Sequence, residues 1–68
     1  MNELFHEIRI NKNWTPSKDT DYSFVNIEKL KKLADNWFDK LVYKGDFFHE
    51  YNEVLNRIEL LKKHIQDS

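Results

Sequence analysis

The chain has no cysteine, one glycine and one proline. Without cysteine there is neither a disulfide nor a thiolate metal site, so a fold of 68 residues must be held by packing, by self-association, or by both. A single glycine leaves no phosphate-cradling Gly-rich loop. Uninterrupted apolar runs reach two or three residues, too short to cross a membrane. Met1 is followed by Asn2 and Glu3 rather than by a basic stretch and an apolar core, so no signal peptide is expected. The lack of cysteine fits a cytoplasmic setting. Neither sign of charge dominates: the net charge is −1, with acids and bases interspersed. That balance lacks the basic excess typical of nucleic-acid binders and the strongly basic face of a membrane-surface helix.

What the chain does have is charge, aromatic rings and helical periodicity. Charged residues make up 34% and aromatic residues 15%, the latter high for so small a chain. Lysine outnumbers arginine nine to two and asparagine occurs seven times, a bias common in AT-rich bacterial and phage genomes. There are no repeats and no low-complexity tract, so residues 1–68 form one small domain in three parts.

Residues 2–10 carry Leu4, Phe5 and Ile8 on one helical face, with Asn2 as an N-cap and Glu3 in the first turn, which favours a short helical arm over a strand. Residues 11–23 form a polar connection rich in Asn, Asp, Ser and Thr. Within it, Thr15-Pro16 suits the start of a helical turn, and Trp14 and Tyr22 would pin the connection to the helices. Residues 24–66 read as an antiparallel helical hairpin, with helices over about 24–44 and 47–66. Ser23 would cap the first of these, and Gly45 would end it in the left-handed C′ conformation, with Asp46 capping the second. On that reading a β-branched residue at Gly45 should cost more than about 1 kcal/mol. Glu28–Lys32, Glu53–Arg57 and Glu59–Lys63 are favourable i,i+4 pairs.

The two long helices differ. Phe47, Tyr51, Val54, Ile58, Leu61 and Ile65 form a heptad seam suited to one neighbour, flanked by Phe48 and Leu55. In the first helix Phe24, Ile27, Leu30, Leu33, Ala34, Trp37, Phe38, Leu41 and Val42 spread over about half the circumference, wider than the stripe of roughly 100° that one neighbour covers. A second neighbour is required. It is either the 2–10 arm or another copy, the latter giving a four-helix bundle as a homodimer.

The chemistry-bearing patterns are sparse. Glu3/His6 and Asp46/His49 have the i,i+3 spacing of di-iron bundles, but those sites need further carboxylates in the core and neither seam supplies one. No metal or cofactor is expected. The serines, Ser17, Ser23 and Ser68, fall in a loop, at a cap and at the terminus, with no group placed to orient a Ser–His pair. No enzymatic activity is expected. The pattern fits a small protein–protein interaction module, by analogy of size and composition a phage- or mobile-element-encoded inhibitor, antitoxin-like factor or assembly adaptor. Candidate partner-binding residues are Trp14, Tyr22, Tyr43, Arg57 and Leu60, because Trp, Tyr and Arg are enriched in binding hot spots and Leu60 lies outside the seam. The alternative is a small DNA- or RNA-binding regulator using Lys29, Lys31, Lys32 and Lys40, with Glu28, Asp35 and Asp39 interspersed among them.

Overall fold

A computed structural model describes residues 3–67. The described residues are all-α: α1 spans Glu3–Ile10, α2 spans Ile27–Asp39, a 3-10 turn spans Lys44–Phe47, and α3 spans Phe48–Asp67. The Asn2 cap expected for α1 lies outside the described residues. Among the described residues no helix is long and apolar enough to cross a membrane. At 1.5 Å per residue, α3 is about 30 Å long, and it sets the long axis of a 38 × 21 × 17 Å molecule.

The seam of α3 forms the core. Val54, Ile58 and Leu61 are fully buried, and Tyr51 and Ile65 pack at its margins. Leu30 and Ala34 of α2 and Ile8 of α1 meet it. Contacts between α2 and α3 run in opposite senses along the two helices: Lys31 pairs with Glu59 at 2.9 Å, and one turn later Asp35 accepts from the Tyr51 hydroxyl. Phe38 stacks on Tyr51 with ring centroids 4.4 Å apart.

α2 is shorter than its periodicity suggests, for reasons visible at both ends. Its N-cap is Asn26, not Ser23: the Asn26 side chain accepts from the Lys29 N–H at 3.3 Å, while the Asn26 backbone stays extended. Ser23 is already engaged, its N–H donating to Asp21 Oδ1 at 2.9 Å. That bond, with a further one from the Ser23 side chain, holds the Asp21 carboxyl below its ordinary value. At the other end the chain tightens, with the Leu41 N–H donating to the Phe38 carbonyl across three residues, and the helix stops at Asp39.

Gly45 is therefore not a left-handed cap. It lies within the 3-10 turn, its φ is not positive, and an added Cβ would meet nothing within 4 Å. The expected penalty for a side chain there loses its basis. Asp46 sits inside the same turn, its N–H donating to the Tyr43 carbonyl, and does not stand at the cap of α3. Nor does Thr15-Pro16 open a helical turn.

The connection from 11 to 26 has no regular structure, yet its polar groups are extensively paired. Asn11 closes α1 by donating to the Glu7 carbonyl, and its carbonyl and side chain then accept from Trp14 and Asn13. The Ser17 N–H donates to the Tyr22 hydroxyl at 2.8 Å, and the Val25 N–H to the Tyr22 carbonyl. These bonds let Trp14 and Tyr22 enter the core, where each is only 8% exposed. Tyr22 meets the edge of His64 in α3, with centroids 5.7 Å apart.

Candidate interaction surface

The candidate binding residues separate by burial. Trp14 and Tyr22 are core residues that pin the connection, and neither offers a surface in this conformation. Arg57 is buried as well, which corrects the expectation that it offers a partner-binding surface. Its Nη1 donates to the Ile8 carbonyl at 2.8 Å, and its Nη2 reaches the Lys12 carbonyl at 3.4 Å and Glu53 Oε2 at 3.2 Å. The last carbonyls of a helix have no partner within it and carry the negative end of its dipole. Arg57 therefore serves as a C-terminal cap for α1, supplied from another helix. Burying the charge is tolerable because it is hydrogen-bonded and paired. The pair with Glu53 was visible in the sequence as an i,i+4 spacing. The bonds to the Ile8 and Lys12 carbonyls were not, because they depend on how the helices meet.

Two candidates remain at the surface, Tyr43 and Leu60. Leu60 is 48% exposed in a shallow depression among Asn56, Glu59, Lys62, Lys63 and Gln66. Tyr43 has more company. It is 71% exposed, next to Val42 at 85%, and Phe48 at 57% lies at the same end of the molecule. The ring of Phe48 sits 6.4 Å from the half-buried Phe38, which in turn stacks on Tyr51. Leu41 and Phe47 are half-buried beside them. Sequence reasoning placed Val42 and Phe48 on buried faces. Their exposure follows from α2 stopping at Asp39 and from the 3-10 turn that precedes α3.

The charges around this junction have both signs. Asp39 and Lys44 lie 4.0 Å apart, and Lys40, Asp46 and Glu50 are exposed nearby. Along α3, Glu53 receives His49 at 3.0 Å on one oxygen and Arg57 on the other. Tyr51 donates to Asp35. That bond first, then burial and the charges of Asp35 and Asp39, push the Tyr51 phenol above its ordinary value.

The lysines of the nucleic-acid alternative also separate. Lys29 and Lys32 of α2 and Lys40 at its C-cap are exposed, and their spacing of 3 and 8 residues puts them on one outer side of that helix and its cap. Lys31 instead turns towards α3 and Glu59. Their hydrogen bond, and then their mutual charge, raise Lys31 and lower Glu59 from their ordinary values. Glu59 is thus engaged across the helix interface rather than with Lys63 as its spacing suggested.

A second depression, of about 590 Å³, lies between the long connection and the end of α3, lined by residues including Lys18, Asp21, Ser23 and His64. Several of its polar groups serve the connection itself: Asp21 is engaged by Ser23, and the Tyr22 hydroxyl by Ser17. Among the described residues no group of three or more His, Asp or Glu side chains is arranged to hold a metal ion. The chain matches no family model, curated protein or solved structure with which it was compared.

Proposed function

We propose that the protein is a small non-catalytic interaction module of the cytoplasm that docks on other protein surfaces through the junction between α2 and α3. In this reading α2 and α3 form an antiparallel helical hairpin and α1 is an arm folded against it. The opposite running of the Lys31–Glu59 and Asp35–Tyr51 contacts supports that architecture. The observation that carries the function is the exposure of Val42, Tyr43 and Phe48 together, in a chain that buries Trp14 and Tyr22 within a polar connection. Large apolar groups clustered at a surface mark interaction sites more often than isolated ones do. An inhibitor, an antitoxin-like factor or an assembly adaptor would each work this way, by occupying a surface without chemistry.

The test is a photo-crosslinking residue placed at Tyr43 in the native host, with a second at Lys18 on the far side of the molecule. Crosslinks to protein from position 43 but not from 18 are expected. Equal crosslinking from both, or none from 43, would count against the junction.

One observation favours a second reading, a nucleic-acid regulator: Lys29 and Lys32 of α2 and Lys40 at its C-cap are exposed on one side. Binding through phosphates would weaken steeply with salt and would be lost in Lys29→Glu/Lys32→Glu. The interaction module should be indifferent to that change.

A further inference from the structure

We infer that the outer side of α2 binds duplex DNA through phosphates alone, bridging the two strands across the major groove. This rests on the nucleic-acid reading, names its ligand, and is independent of the junction between α2 and α3. Most of the apolar face of α2 is used within the chain: Leu30 and Ala34 are buried, and Ile27, Leu33, Trp37 and Phe38 are half-buried. The outward side carries Lys29, Lys32, Asn36 and Lys40, all exposed. At about 100° per residue these four fall within a sector of roughly 80°. Lys40 keeps to the helical path beyond the last turn, with φ −81 and ψ −9. The acids of α2 do not neutralise this strip. Asp35 accepts from the Tyr51 hydroxyl, and Asp39 pairs with Lys44 at 4.0 Å. Lys31, outside the sector, pairs with Glu59 of α3. Among the described residues none of Lys29, Lys32 and Lys40 pairs with a carboxylate. Glu28 remains, one acid against three lysines.

The spacing within the strip selects among anionic ligands. At 1.5 Å per residue, Lys40 lies about 12 Å along the axis from Lys32 and about 16.5 Å from Lys29, with the uncharged Asn36 between them. The cations therefore stand at the two ends of the strip, not in a row. The major groove of B-form DNA is about 12 Å wide, with phosphates on both walls. Lys29 and Lys32 would meet one strand and Lys40 the other. Contacts of this kind position a protein without reading bases. An extended acidic peptide advances about 3.3 Å per residue and would be matched by an unbroken row of lysines. A lipid surface takes up an apolar face beside the basic one, and the sector holds no apolar residue. Because the whole chain carries a net charge of −1, the attraction is local and should be strong only at low salt.

The experiment is a fluorescence-anisotropy titration of the full chain into a labelled DNA duplex, its separated strand and an RNA duplex of the same sequence, between about 50 and 200 mM salt. Three neutralised phosphates predict a slope of log K against log salt of about −2.7 for the DNA duplex, roughly a fortyfold loss over that range. Lys40→Gln should bring the slope to about −1.8, and Lys29→Gln/Lys32→Gln to about −0.9. Lys18→Gln, in the long connection, should leave it unchanged, and an unchanged unfolding midpoint in each variant separates lost binding from lost folding. A DNA duplex of unrelated sequence should bind equally. The single strand, and the RNA duplex with its deep and narrow major groove, should bind at least about fivefold more weakly. Equal binding of the single strand or the RNA duplex overturns the bridging of the groove and leaves the nucleic-acid reading standing. No binding of any nucleic acid at the lowest salt, or a slope that the lysine changes do not move, overturns both. Polyglutamate or phosphatidylcholine–phosphatidylserine vesicles bound as tightly as the DNA duplex would overturn DNA as the ligand.

Discussion

The two connections in this small protein invert the usual relation between composition and burial. The connection of residues 11–26 is long and polar, yet it sends Trp14 and Tyr22 into the core. The connection between α2 and α3 is short and apolar, yet it leaves Val42 and Tyr43 in solvent. Length explains the difference. A long segment can meet its own backbone needs with Asn11, Ser17, Asp21 and Asn26 and still turn its aromatic residues inward. A short one must span the gap between two helices, and its side chains point where that geometry leaves them.

The comparison can be broken most sharply at Trp14. Trp14→Ala should cost about 3–5 kcal/mol as a buried aromatic truncation. Since a core of this size rarely supplies more than about 3–5 kcal/mol in total, the variant should be largely unfolded by circular dichroism at room temperature. Tyr43→Ser, the matching change in the short connection, should move stability by no more than about 0.5 kcal/mol. Similar losses at both positions would dissolve the contrast.

Arg57→Leu should follow, at about 2 kcal/mol by denaturant titration, because it leaves the Ile8 and Lys12 carbonyls without their donor. The loss should stay below that of a fully buried ion pair, because Glu53 is 39% exposed and can return to water. Asn26→Ala should cost about 1 kcal/mol as a lost N-cap. Ser23→Ala should cost less, since the Ser23 N–H bond to Asp21 survives it. A larger loss at Ser23 than at Asn26 would move the start of α2 back by a turn. Smallest is Gly45→Ala, expected to raise stability by about 0.4–1 kcal/mol. The position has open space and ordinary backbone angles, and alanine restricts the unfolded chain. A loss there would restore the left-handed cap.

These positions also show how far the sequence could be read. The all-α class and the bounds of α1 and α3 were legible, because the seam through Val54, Ile58 and Leu61 holds its spacing over many turns. The ends of α2 were not. Ser23 and Asn26 are both competent caps, and what decides between them is Asp21 two residues before Ser23, which engages it locally. At the far end Leu41 and Val42 continue the helical period, so only the tightened turn at Phe38 reveals that the helix has stopped. Gly45 misled for a related reason: glycine permits a left-handed cap but does not require one. Of the candidate partner-binding residues, Tyr43 and Leu60 are exposed, while Arg57 is buried. Its pairing with Glu53 was legible, but the Ile8 and Lys12 carbonyls that it also reaches lie far away in the sequence, beyond any local pattern.

That distance has a consequence in time. The bond from Arg57 to the Ile8 carbonyl joins residues 49 apart in sequence. Closing so long a loop carries an entropic cost that nearby contacts avoid. α1 cannot be fastened until α3 exists to hold Arg57, so the arm should lock last on folding and loosen first on unfolding. Ile8→Val should accordingly quicken unfolding and leave the refolding rate almost unchanged, a pattern that stopped-flow chevrons would resolve. On that expectation the buried guanidinium acts as a latch closed late, and an equal slowing of refolding in Ile8→Val would show instead that α1 docks with the rest.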